Sequence, residues 1–211
     1  MSEMIKNLVP NMNMEFVDLG LSVKWASCNL GASKPEEVGD YYAWGEIETK
    51  RVFSWEKYKF SNGSGRLITK YCDLREQGYN GFTDGLDTLE LVDDVAYVKL
   101  KGNWRMPTLS EIKELLRFCT WKPVTVKSVN GYRVSGMKEG FTDQNIFLPA
   151  TGYIDNDVVN SPIWFGAYWS SSVVKDYPIG AHFLYLNDEF KGYSEYYRRC
   201  GQAIRPVYSG R

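Results

Sequence analysis

The sequence predicts an α+β fold, with strand-like segments at both ends and one well-marked helix between them. Three observations lead there. "MPTLSEIKELLRFC" (residues 106–119) carries a helix start signal and an apolar stripe. "FVDLGLSVKWAS" (16–27) and "GQAIRPV" (201–207) both read as strands. "VTVKSV" followed by "NGYRVSG" (124–136) reads as a hairpin.

Each element has a local reason. Residues 1–14 contain three Asn and one Pro without a period and are expected to form a flexible arm, leaving 15–208 as one domain. Within 16–27, Gly20 is placed to turn the chain between two strands. Residues 29–46 are turn-rich and end in the rings of Tyr41, Tyr42 and Trp44. Residues 47–103 have weak periodicity, with a flexible loop at 61–66 and a short helix within 93–100. In the strong helix, Thr108 is a natural N-cap and Glu111 completes a capping box. Ile112, Leu115, Leu116 and Cys119 then share one face. The hairpin turn is expected at Asn130-Gly131, since both positions accept positive φ. "NIFLPATGY" (145–153) reads as a buried strand stopped by Pro. The last forty residues read as short strands and loops.

Composition narrows the function. The chain has 211 residues, 44% of them hydrophobic, enough for a sizeable core. A formal net charge of −1 gives no general attraction to phosphate, so no nucleic-acid partner is expected. No run approaches the roughly 18 apolar residues that cross a bilayer, so no membrane insertion is expected. The opening residues carry no secretory signal pattern. Cys28, Cys72, Cys119 and Cys200 are widely spaced; three disulfide connectivities are formally open, and buried free thiols are the expected state. His182 is the sole histidine, so paired zinc ligands are missing and no metal is expected.

Catalytic patterns are also missing. Ser170, Ser171 and Ser172 lack nucleophile-elbow spacing. With one histidine, only His182 could serve as the base, and no flanking pattern marks a nucleophile for it, Cys200 included. The adjacent carboxylates Asp93–Asp94 and Glu36–Glu37 are expected to face solvent rather than each other across a cleft. No phosphate-binding glycine loop occurs. The chain therefore reads as a non-enzyme without a cofactor.

Six segments in order, "VDLGLSVKWAS", "GDYYAWGE", "GNWRMPT", "FLPATGY", "GAYWSSS" and "AIRPV", resemble the Fibrobacter succinogenes major paralogous domain over residues 15–208. That family is similar to the C-type-lectin-like fold of formylglycine-generating enzymes and of the variable proteins of diversity-generating retroelements. The resemblance implies a single C-type-lectin-like domain with paired N- and C-terminal strands. It further implies a ligand-binding module, displayed on a cell surface or a phage particle, and in some members diversified by adenine-directed mutagenesis. The cysteine pair of the formylglycine-generating enzymes is not matched, because Cys200 stands alone in its half. The Glu-Pro-Asn and Gln-Pro-Asp tripeptides of calcium-dependent lectins do not occur; Asn187-Asp188 is expected to form a β-turn. An enzyme or metal-dependent lectin of the same broad fold is the alternative.

Within that frame, Trp104, Arg105, Trp169, Ser170, Ser171 and Arg205 are assigned to the scaffold. Residues 166–207 hold six Tyr, one Trp and two Phe. Exposed Tyr and Arg bring contact area and a polar tip at modest ordering cost. Lys175, Asp176, Tyr177, His182, Phe183, Tyr185, Asn187, Tyr193, Glu195, Tyr196 and Arg198 are therefore expected to share one exposed face that binds a protein or glycan ligand. Tyr177, Tyr193 and Tyr196 are the expected anchors.

Overall fold

The structure, a computed structural model, describes residues 14–160 and 163–210; most of the proposed arm therefore lies outside the described residues. In chain order the elements are β1 (Phe16–Val17), β2 (Lys24–Ala26), α1 (Val95–Leu100), β3 (Trp104–Arg105), α2 (Leu109–Phe118), β4 (Cys119–Val126), β5 (Val129–Gly136), β6 (Asn145–Pro149), β7 (Tyr153–Asp155), β8 (Val158–Asn160), β9 (Gly166–Val173), β10 (Gly180–Leu186), β11 (Lys191–Tyr197) and β12 (Val207–Tyr208). They form a four-stranded sheet β1-β2-β12-β3, two three-stranded sheets, β4-β5-β6 and β11-β10-β9, and the pair β7-β8.

This corrects the expected fold class. The described chain is mostly β, in small antiparallel sheets, with two α-helices of 6 and 10 residues. It does not bear out an α+β, C-type-lectin-like fold. The physical reason lies in the period of the sequence: only 109–118 sustains a helical stripe, while the aromatic C-terminal stretch alternates as strands do. Among the described residues no helix is long and apolar enough to cross a membrane.

The chain ends do meet. In β2 and β12, Val207 pairs with Trp25 and Tyr208 with Lys24. The strong helix forms as read: the Thr108 side chain accepts from Glu111 N, and Glu111 reaches back to Thr108 N at 2.8 Å. Ile112 and Leu115 are buried on its inner face. The two adjacent carboxylates at 93–94 are not solvated as expected. Asp94 is buried as the N-cap of α1, accepting from Tyr97 N and Met106 N. Asp93 is buried beneath Lys59, Lys70 and the Tyr71 hydroxyl. Burial opposes its ionisation, but these three donors outweigh it and hold the carboxyl below its usual range.

The hairpin exists, but its turn is three residues earlier than expected. Val126 pairs with Val129, so Lys127 and Ser128 form the loop, both at positive φ (45° and 69°). Asn130 and Gly131 lie inside β5 instead. Gly131 is there because β6 passes too close for a side chain: a Cβ would sit 2.3 Å from the Leu148 carbonyl oxygen.

Sheet β11-β10-β9 separates two hydrophobic cores. Ala167, Trp169, Ala181 and Phe183 face one, with Tyr42, Trp44 and Phe53. Tyr168, Leu184 and Leu186 face the other, with Ile112 and Leu115 of α2. Strict alternation sends neighbouring residues to opposite faces, so both sides of this sheet are chemically distinct. Cys28, Cys72, Cys119 and Cys200 are all buried and unpaired.

Two outcomes follow from these contacts. Ser128→Gly relieves a left-handed residue in the hairpin loop and is expected to raise the free energy of unfolding by about 1 kcal/mol. Gly131→Ala is expected to lower it by more than that, because backbone must move; urea titration of both variants checks the pair. Burial pushes the Cys119 and Cys200 thiols up to about 12. Native protein at pH 8 is therefore expected to resist alkylation, with all four thiols reacting after denaturation, as counted by mass spectrometry.

Candidate functional site

The C-terminal aromatic segment is a sheet edge rather than a set of loops. Residues 191–197 alternate exposed and half-buried along β11, which pairs only with β10 in its sheet. His182 pairs with Glu195, Leu184 with Tyr193 and Gly180 with Tyr197. These residues lie on the α2 side, where Lys113 Nζ sits 4.6 Å from the Tyr193 ring centroid. Ala181 pairs with Tyr196, Phe183 with Ser194 and Tyr185 with Gly192, on the Trp169 side.

The eleven expected binding residues are thus divided. Lys175, Asp176 and Tyr177 are exposed in the β9–β10 connection, next to the α2 side that carries His182, Tyr193 and Glu195. Asn187 shapes the β10–β11 turn as an Asx-turn, its Oδ1 accepting from Glu189 N at 3.0 Å. Phe183, Tyr185 and Tyr196 leave on the opposite side; Phe183 is buried and the other two pack against the Trp169 core. Phe183 and Tyr185 do not belong to the exposed face, because strand alternation turns them away from His182; Tyr196 packs inward yet still borders the cleft of Tyr177 and Glu195.

Arg198 is the largest departure. It is fully buried and donates to the Tyr58 hydroxyl at 2.8 Å and to the carbonyls of Tyr71 (2.9 Å), Pro178 (2.7 Å) and Lys70 (2.6 Å). Trp44 and Tyr58 enclose the guanidinium at 5.1 and 5.3 Å. It is a structural clamp, and no ligand can reach it.

What remains is a row of exposed rings. Tyr177 (36% exposed), Tyr193 (47%) and Tyr197 (39%) stand along the α2 side of the edge strand. Gly180 makes room for Tyr177: a Cβ there would meet the ring at 2.8 Å. A cleft of about 410 Å³ is lined by Val174, Tyr177, Glu195, Tyr196 and Tyr197. Tyr197 also walls a second concavity of about 600 Å³ with Trp55, Arg66, Glu76 and Gln77. Trp55 and Tyr197 meet edge-on, 6.1 Å between centroids, and the Arg199 guanidinium lies 5.6 Å from the Tyr197 ring. Tyr197, Trp55 and Val174 were missed in the sequence reading. The alternation of Lys191, Tyr193, Glu195 and Tyr197 is the signal that identifies Tyr197; nothing local identifies Trp55, which is remote in sequence.

Cys200 is buried, and burial keeps its thiol protonated near neutral pH. His182 is half-buried and its Nδ1 has no partner. Among the described residues no three His, Cys, Asp or Glu converge as a metal site would need. Comparison with protein-family models, with curated proteins and with solved structures gives no match.

His182 supplies a test of the geometry. Burial lowers its pKa from 6.5; Glu195 opposes this, and Lys113 reinforces it. The unfolded chain therefore binds more protons than the native one between the lowered value and 6.5, so stability falls as pH drops through that window. His182→Gln is expected to lose less stability than the wild type between pH 7 and 5, measured by urea titration at each pH.

Proposed function

We propose that this chain is a non-catalytic binding module that takes a protein or glycan ligand on its C-terminal surface. The observation that carries the reading is three exposed rings, Tyr193 and Tyr197 on the edge strand and Tyr177 in the connection beside it, with Tyr177 and Tyr197 lining one concavity and Tyr197 a second that adjoins it. Exposed rings in a line lose little conformational freedom on binding and present large apolar faces with polar tips. Lys175, Asp176 and Glu195 surround them with charges of both signs, which suits selection among partners more than gross affinity. The edge position adds unpaired backbone groups within reach of an extended ligand. The order of the six motifs supports the same reading at the level of sequence.

A glycan and protein array probed with the purified chain is expected to return a ligand. Tyr177→Ala, Tyr193→Ala and Tyr197→Ala are each expected to weaken it by roughly 2 kcal/mol. Their unfolding free energies should stay within about 0.5 kcal/mol of wild type, as befits exposed positions. Sharp destabilisation with binding spared would move the site elsewhere, and an array without any ligand of either class would defeat the reading.

A further inference from the structure

One side of the β11 backbone faces away from its sheet. The pairing of β11 with β10 is fixed at both ends: Arg198 N donates to the Ile179 carbonyl at 3.0 Å, and Asn187 N donates to the Phe190 carbonyl at 2.8 Å. Both bonds fit one unbroken antiparallel register, in which Gly180 faces Tyr197 and Leu186 faces Lys191. Hydrogen-bonded pairs alternate along such a ladder, so the even-numbered residues of β11 bond to β10. Lys191, Tyr193 and Glu195 therefore aim their N–H and C=O groups outward, and among the described residues these groups have no partner. All three residues are exposed. Lys191 and Glu195 flank Tyr193 symmetrically along the strand. They stand roughly 13 Å apart, too far to pair with each other. Among the described residues neither has an ion-pair partner. Lys113 of α2 lies over the Tyr193 ring on the same side.

We propose that β11 pairs with β11 of a second copy of this chain, antiparallel about a twofold axis at Tyr193, so that two three-stranded sheets become one. A twofold interface needs a self-complementary edge. The outward backbone groups belong to odd-numbered residues, so odd-numbered residues must face each other across the axis. With the axis at Tyr193, Lys191 faces the partner's Glu195, and Glu195 faces the partner's Lys191. Opposite charges directly across an antiparallel pair are favourable, and like charges are not. Moving the axis to Glu195 would set that carboxylate against the partner's Glu195. Moving it to Ser194 would set Lys191 against the partner's Tyr197 and leave both charges unanswered. On the Trp169 side, the axis at Tyr193 brings Gly192 opposite the partner's Ser194, and side chains this small let the sheet continue. Charges on an edge ordinarily keep other strands away. Here they stand symmetrically with opposite signs, and so select one partner and one register. Tyr193 and Glu195 keep their side chains on the α2 side, so the exposed rings of both copies end on one face of the joined sheet. The proposal does not rest on the ligand reading; an extended ligand would compete with the second copy for the same backbone groups.

Sedimentation velocity of the full chain, from micromolar to millimolar concentration, is expected to show a monomer passing to a dimer. Lys191→Glu and Glu195→Lys are each expected to weaken that dimer roughly tenfold or more, since each sets like charges across the axis twice. Mixed in equal amounts, the two variants are expected to associate about as well as wild type, because one then carries only carboxylates at these positions and the other only ammonium groups. Recovery on mixing also shows that both variants kept the fold. Tyr193→Cys is expected to form a disulfide-linked dimer under mild oxidation, its two Cα atoms lying about 5.5 Å apart across the axis. Glu195→Cys is not, because it lies more than roughly 13 Å from the same position of the partner. A wild type that stays monomeric at every concentration would overturn the proposal. So would a dimer that single charge reversals leave unchanged, variants that fail to associate when mixed, or cross-linking of Glu195→Cys in place of Tyr193→Cys. Ligand binding by a monomer would be untouched by any of these results, so the two readings fail separately.

Discussion

The guanidinium of Arg198 is buried without a carboxylate among its partners, and its four hydrogen bonds end on neutral oxygens from three stretches of chain: Tyr58, Lys70–Tyr71 and Pro178. Apart from one 3-10 turn, Trp55–Lys57, that ends at Tyr58, those stretches have no helix or strand to fix them. The positive charge is compensated by carbonyl dipoles and by the faces of Trp44 and Tyr58, an arrangement in which every donor direction must be filled. The planar fork of arginine can meet several carbonyls at once, whereas lysine cannot reproduce its geometry. The Arg198 carbonyl also accepts from Trp44 N at 2.8 Å, so the same residue ties the 40s segment to the end of β11.

This clamp explains features around it. Tyr71 adopts φ of 59°, a conformation costly for a residue with a side chain. It is held there by Arg198 on its carbonyl and by Asp84 Oδ2 on its N–H at 2.7 Å. Its hydroxyl joins Lys59 and Lys70 on Asp93, so an ionic cluster centred on a buried carboxylate sits beside the buried arginine. Arg205 repeats the device in miniature, bonding Asn29 Oδ1, Ala26 O and Phe147 O from a fully enclosed position. Together the two arginines bind the C-terminal segment to the N-terminal strand, the irregular middle and β6. Small sheets without long helices need such ties, because no single layer is large enough to organise the chain. The exposed rings of β11 are consequently built on a fixed edge rather than a free loop, which favours preorganised binding.

Local signals were legible in the sequence, and remote ones were not. The capping box of α2 involves Thr108 and Glu111, three residues apart, and its reading required nothing else. The meeting of β2 with β12 was also anticipated, from strand-like ends and motif order. Asn130-Gly131 misled because glycine serves two purposes: it can turn a chain, or it can let another strand approach, and here the neighbour is Leu148. The α+β class failed for a related reason: one well-marked helix and a motif order carried the reading, while the short strands of the irregular half announced little. Arg198 looked like a recognition residue because its acceptors are carbonyls at positions 70, 71 and 178, which have no signature in side-chain chemistry. The division of the tyrosines was latent in the strict alternation of 191–197, once that stretch is taken as a strand instead of a loop.

Equilibrium unfolding of Arg198→Lys in urea tests the central claim most directly. The account predicts a loss of about 3 kcal/mol or more, since the substitution strands buried carbonyls and sets an ammonium where a planar fork was required. A variant whose unfolding free energy stays within about 0.5 kcal/mol of wild type would contradict it, and would mean that the edge strand and both of its faces are held by something other than the buried arginine.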